Sequence, residues 1–110
     1  MTNGRPPILE RDLQDQVLDL ARLLGWRVAH FRAARTAHGW RTPVSADGAG
    51  FPDLVLIRGR RLVVAELKRS VKNRPTPNQL DWLAAFRAAG VEVYVWTCDD
   101  DTESIAQVLR

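Results

Sequence analysis

The 110-residue chain carries 16 Lys and Arg against 13 Asp and Glu, which gives a formal net charge of +3. This length indicates one domain, and 45% hydrophobic with 26% charged residues is ordinary for a globular protein. A single cysteine, Cys98, excludes an internal disulfide and a cysteine-rich metal site. The sequence has no signal-peptide pattern and no apolar run of the ~20 residues that a membrane span needs, so we expect a cytoplasmic protein.

The sequence predicts a flexible N-terminal segment over residues 1–8, followed by one α/β domain over residues 9–110. The predicted elements are, in order, a helix from 9 to about 24, a strand at 26–31, a long loop at 32–50, strands at 53–58 and 61–68, a helix from 77, a strand at 91–97 and a short C-terminal helix. The order is therefore α-β-β-β-α-β-α. In the second helix, Thr76, Pro77 and Gln79 form a capping-box pattern, and Leu80 and Leu83 supply an apolar stripe.

The two strands at 53–58 and 61–68 predict a tight hairpin with an unusual pair of charges. A two-residue turn at Gly59-Arg60 suits type II′ and pairs residues whose numbers sum to 119. Asp53 then faces Glu66, and Lys68 lies on the same face of the sheet. Because like charges directly opposite each other destabilise a strand pair, a shared divalent cation is the simplest reason for two facing carboxylates. Oxygen ligands favour Mg²⁺ or Mn²⁺, and the spacing does not suit zinc.

Glu10 is a candidate third acid, since it lies three residues before the apolar Leu13 and so on the core-facing side of the first helix. Each feature also has a structural explanation. Asp53 can be a turn residue, and Glu66 and Lys68 can be a charge pair of an edge strand. Glu10 can be an acid that interacts favourably with the helix dipole, and Gln79 can serve the capping box alone. The sequence has two clusters of basic residues, one over 27–41 and one over 58–74, and both can be solvated surface. Among the four tryptophans, we expect packing roles, with Trp40 in the loop as a candidate stacking surface.

The stretch from Pro52-Asp53 to Glu66-Leu67-Lys68 resembles the PD-(D/E)XK nuclease motif. The surroundings are more specific and resemble the VRR-NUC branch of that superfamily, above all its small stand-alone members in phages and bacteria. The similar stretches are ERDLQ at 10–14, GFPDL at 50–54, AELK at 65–68 and TPNQ at 76–79. The resemblance covers about residues 9 to 109.

This resemblance implies a restriction-endonuclease-like core, with a mixed sheet flanked by helices. It also implies metal-dependent hydrolysis of DNA phosphodiester bonds, selectivity for branched DNA such as a Holliday junction, and a homodimer. Carried over by position, the implied metal ligands are Glu10, Asp53, Glu66 and the Leu67 carbonyl. Asp53, Glu66, Lys68 and Gln79 are the implied catalytic residues.

We expect the phosphate backbone of DNA to be contacted by five basic residues on both sides of the acidic cluster. These are Arg35, Arg41, Arg69, Lys72 and Arg74. Two alternatives remain open at this stage. One is a non-catalytic nucleic-acid-binding module on the same fold, and the other is a structural protein whose charges solubilise strand ends.

Overall fold

A computed structural model describes residues 10–31, 34–36, 39–41 and 45–110, the short ranges 34–36 and 39–41 by their backbone alone. The predicted N-terminal segment at 1–8 lies outside these residues. The helices are α1 (Glu10–Leu23), α2 (Pro77–Ala88) and α3 (Thr102–Leu109). The strands are β1 (Arg27–His30), β2 (Ala34–Thr36), β3 (Gly39–Arg41), β4 (Leu54–Arg58), β5 (Arg61–Lys68) and β6 (Glu92–Thr97).

Four strands form a mixed sheet in the order β1-β4-β5-β6. The first three strands are antiparallel to one another, and β6 runs parallel to β5. A parallel pair needs a crossover connection, which α2 supplies. Outside the short β2–β3 hairpin, the element order is the predicted α-β-β-β-α-β-α. That hairpin, which pairs Arg35 with Trp40, lies inside the segment predicted as a loop.

The main core lies between one face of the sheet and the helices α1 and α3. Its members are buried side chains from both layers, among them Leu13, Val17, Leu56, Leu67 and Ile105. The predicted period of α1 is confirmed, because Leu13, Val17 and Ala21 are its buried residues. This face therefore fixes the positions of β4 and β5.

The helix α2 covers part of the opposite face, which carries Val64. Leu83 is buried there as predicted, but Leu80 is 51% exposed, so the predicted apolar stripe is wrong at that position. Within the described residues, α2 packs against the sheet and the loop before Asp53 and leaves its other side exposed. Its capping box is formed as predicted, since Gln79 N donates to Thr76 Oγ1 and Thr76 N donates to Gln79 Oε1.

Two arginines, Arg58 and Arg61, bind groups at the ends of helices and strands. Arg58 Nη1 donates to the carbonyls of Leu24 and Leu109, at 3.0 Å and 2.7 Å, and so satisfies acceptors at two helix ends. Arg61 pairs with Glu92 at 2.6 Å. Both guanidinium groups lie over the buried ring of Trp26. These two residues have structural partners, whereas within the described residues no side-chain hydrogen bond or ion pair involves Arg69, Lys72 or Arg74.

Candidate active site at the end of the central hairpin

The β4–β5 hairpin has the predicted register. Val55 pairs with Val64 and Arg58 pairs with Arg61, so the paired numbers sum to 119. Gly59 adopts a φ of +59°, the left-handed value that the first central position of a type II′ turn requires. The same register, continued beyond Leu54, brings Asp53 opposite Glu66.

Asp53 is held at the beginning of β4 by the neighbouring strand. Its Oδ2 accepts a hydrogen bond of 2.8 Å from the Leu67 amide. Burial raises the pKa of Asp53, and the Leu67 amide and the Lys68 ammonium partly oppose that rise. The hydrogen bond orients the carboxylate toward the end of β5, where Glu66 lies.

Glu66 is a buried carboxyl group whose charge and hydrogen-bond acceptors are only partly matched by neighbouring groups. Its side chain is 2% exposed, and the Lys68 ammonium lies 3.5 Å from its Oε2. Its Oε1 is buried and has no hydrogen-bond partner among the residues that the structure describes. Burial, and then the charge of Asp53, raise the pKa of Glu66 to about 7. Buried polar atoms in proteins are nearly always paired, so this oxygen requires an explanation.

Glu10 approaches the same place from the first turn of α1. Burial and then the charge of Asp53 raise its pKa, whereas the charge of Lys68 lowers it. The fold therefore brings Glu10 within electrostatic reach of Asp53 and Lys68. Within the described ranges, however, no three acidic, histidine or cysteine side chains are grouped closely enough to hold a metal ion together. The arrangement is a pair of carboxyl groups with a third acid nearby.

The loop before Asp53 is fitted closely to the start of α2. Gly50 has a φ of +84°, and a Cβ at this position would lie 2.7 Å from the backbone carbon of Asn78. Only glycine allows this approach. Gln79, implied above as a catalytic residue, is in the adjoining turn, and its side-chain oxygen is engaged in the capping box.

The five basic residues that are predicted to contact DNA lie in two segments of the chain. Arg69, Lys72 and Arg74 are exposed on the loop that joins β5 to α2, directly after Lys68. Arg35 and Arg41 lie on β2 and β3, and their side chains are outside the described residues. The Leu67 carbonyl is a proposed ligand, while the contact that the structure gives this residue to Asp53 is through its amide.

Two residues near the acids, His30 and Phe31, were not predicted from the sequence as part of the site. Positive charge on His30 lowers the pKa of Asp53. The Phe31 amide donates a 2.9 Å hydrogen bond to the Asp53 carbonyl. Both follow from the pairing of β1 with β4, in which His30 lies opposite Leu54. No tight turn joins these two strands, so no sequence signal gives their register.

The fold resembles that of a known domain. A solved structure described as "VRR_NUC domain" matches with a TM-score of 0.66 and 24% identity, over 91% of this chain and 92% of that one. This confirms the expected fold class, a mixed sheet flanked by helices with a restriction-endonuclease-like core. No family model and no curated protein matches the sequence. No helix among the described residues is long and apolar enough to cross a membrane.

Proposed function

We propose that this chain is a metal-dependent DNA endonuclease that hydrolyses phosphodiester bonds, with Mg²⁺ or Mn²⁺ as cofactor. The observation that carries the proposal is the buried Glu66 carboxyl beside Asp53, whose Oε1 no described residue pairs. Two carboxyl groups held together away from water lower the stability of the fold unless a cation or a proton joins them. The similarity of the fold to a VRR_NUC domain supports the same function.

The residues fit a small divalent cation. Asp53 and Glu66 would supply hard oxygen ligands, and we propose Glu10, which lies near this pair but is not grouped with it, as a third ligand from α1. The Leu67 carbonyl is a further proposed ligand. When bound, such an ion lowers the pKa of water and offsets charge on the attacked phosphate. The Lys68 ammonium, held beside Glu66, would orient the water or stabilise the negative charge that develops on the phosphate.

DNA would approach along the basic loop after β5. Arg69, Lys72 and Arg74 are exposed there and would contact backbone phosphates, with Arg35 and Arg41 on the other side of the acids. Phosphate contacts position DNA without reading its sequence, so the substrate would be chosen by shape. We propose branched DNA as that shape and a homodimer as the active form, because two-fold symmetry would place two sites on symmetric arms.

The test is calorimetric titration of Mg²⁺ and Mn²⁺ into wild type and Asp53→Ala, followed by incubation of both with branched and linear DNA. We expect metal binding and cleavage in wild type and neither in the variant. Asp15→Ala, which removes an exposed acid of α1, is the control and should behave as wild type.

The alternatives make different predictions for the same samples. A binding module would retain DNA affinity with no metal binding and no cleavage in wild type. A structural protein would bind neither metal nor DNA, and Asp53→Ala would relieve repulsion and leave stability unchanged or higher. Either pattern would replace the nuclease proposal.

A further inference from the structure

Aromatic side chains from three elements form a cluster beside the acid pair. The ring of Phe51 lies 5.2 Å from that of Phe31, 5.1 Å from that of Trp82 and 5.8 Å from that of Phe86, measured between centroids. All three contacts are edge-to-face, the arrangement that aromatic pairs prefer. The cluster holds the loop before Asp53 against α2 and leaves part of its surface uncovered.

That surface is the wall of an open cavity of about 410 Å³. The described residues that line it are Phe31, Ser45, Ala46, Asp47, Gly48, Phe51 and Trp82. Phe31 is 38% exposed. The volume falls within the roughly 300–1,000 Å³ of small-ligand sites. The cavity therefore has the size and the aromatic lining for a planar ring.

The pairing of β1 with β4 places the cavity next to the acids, because it aligns Phe31 with Asp53. The β1–β4 register places His30 opposite Leu54, and its continuation places Phe31 opposite Asp53. The 2.9 Å bond from the Phe31 amide to the Asp53 carbonyl confirms that continuation. Phe31, Asp53 and Glu66 thus form one row across three strands, on one face. A nucleotide whose phosphate lies at the acids would have its base within reach of Phe31.

The charge of the lining selects which part of a nucleotide can enter. Asp47 is the only ionisable residue among the described residues of the wall. A carboxylate repels a phosphate, but it can accept a hydrogen bond from the exocyclic amino group of a base. The Trp82 indole nitrogen already donates to the Asp47 carbonyl at 3.0 Å, which fixes this loop. The site therefore suits a base and disfavours the backbone.

We infer that this cavity binds one unpaired nucleobase of the strand to be cut, next to the scissile phosphate. The inference rests on the proposed nuclease function and adds its substrate class, which is DNA with an unpaired nucleotide at the cleavage point. A paired base cannot reach such a pocket, because its faces are covered by its neighbours in the stack. Base–aromatic stacking tolerates every base, so the pocket would select unpairing and not sequence.

The experiment measures binding separately from cleavage. The Glu66→Gln protein, in EDTA, is titrated by fluorescence anisotropy into branched DNA in which each unpaired nucleotide in turn is replaced by an abasic residue. At one position we expect the missing base to weaken binding by about 5- to 150-fold, the range for loss of one base–aromatic stack. Adding Phe31→Ala should remove that difference, whereas Phe31→Tyr should keep it.

Ile57→Ala is the matched control, since Ile57 is an apolar residue of β4, 46% exposed, at the far end of the same sheet face. It should leave the abasic effect intact. Equal binding of intact and abasic DNA at every position, or an abasic effect that Phe31→Ala leaves unchanged, would refute the base pocket. If wild type still cleaves DNA in that case, the nuclease proposal stands alone. Absence of DNA binding in this experiment, together with absence of cleavage by wild type in Mg²⁺ or Mn²⁺, would overturn both.

Discussion

Glu66→Gln should stabilise the metal-free protein at alkaline pH. The carboxyl has a pKa of about 7 in the folded protein against an ordinary value of 4.5. A raised pKa means that the folded state binds more protons than the unfolded state between these values. Stability therefore decreases as pH rises from about 4.5 to about 7, and it levels off above that.

The size of the effect follows from the same two values. At 1.36 kcal/mol per unit, the difference corresponds to about 3 kcal/mol for ionising this buried group. Glutamine has the same shape and never ionises, so it avoids this cost. The Lys68 ammonium, 17% exposed, loses its partner in the variant, and that loss offsets part of the gain. We expect a net stabilisation of about 1–2 kcal/mol at pH 8.

The assay is urea denaturation at pH 5 and pH 8, in EDTA and in Mg²⁺. In EDTA, wild type should lose stability between the two pH values while Glu66→Gln remains nearly constant. In Mg²⁺ at pH 8 the order should reverse, because a ligand at 100 times its Kd stabilises wild type by about 2.7 kcal/mol. Glu103→Gln, which alters an exposed ion pair with Arg110, is the control and should follow wild type.

One result would refute this reasoning. If Glu66→Gln were less stable than wild type at pH 8 in EDTA, the ionised carboxylate would be a favourable structural element. A wild-type stability that did not change from pH 5 to pH 8 would lead to the same conclusion. The need for a cation at this site would then have no support from electrostatics.

Substitutions at Gly50 and Gln79 test the loop and the helix around the acids. Gly50→Ala should lower the melting temperature and weaken cleavage, because it combines strain at a φ of +84° with a 2.7 Å clash against Asn78; Gly90→Ala, at a φ of +85° with open space around it, should show the strain alone. Gln79→Ala should lower the free energy of unfolding by about 1 kcal/mol, measured by thermal unfolding, because it removes one of the two capping-box bonds, from Thr76 N to Gln79 Oε1. Gln79→Glu retains the capping oxygen, so its stability should match wild type while its cleavage rate falls. Wild-type cleavage by Gln79→Glu would limit this residue to capping.

The central hairpin was predictable because its geometry is local. A two-residue turn with glycine first leaves one register, and the alternation of side chains then decides which residues share a face. The pairing of Val55 with Val64 and the φ of Gly59 agree with that reasoning. The capping box at Thr76 is local in the same sense. Short-range rules therefore predicted the positions of Asp53, Glu66 and Lys68 relative to one another.

The surroundings of the acids depend on pairing between distant segments. Residues 31–53 separate β1 from β4, so nothing in the sequence fixes the alignment of His30 and Phe31 with Asp53. Periodicity alone also misplaced Leu80, because a helix with one packed side can carry an apolar residue on the other. Arg35 and Arg41 remain predictions, since their side chains lie outside the described residues. The polar motif could thus be predicted from the sequence, whereas the aromatic cavity could be found only from the three-dimensional structure.

The last three residues of β5 explain how such a site persists in a stable fold. Glu66 and Lys68 point to one face of the sheet, and Leu67 points to the other, where it is fully buried in the main core. The same residue donates its amide to Asp53. Leu67 therefore holds the strand end in the core while its backbone orients one acid and its neighbours supply the second acid and the lysine. The burial of Leu67 offsets the cost of burying Glu66, and for that reason we attribute the apolar middle position of this motif to stability rather than to chemistry.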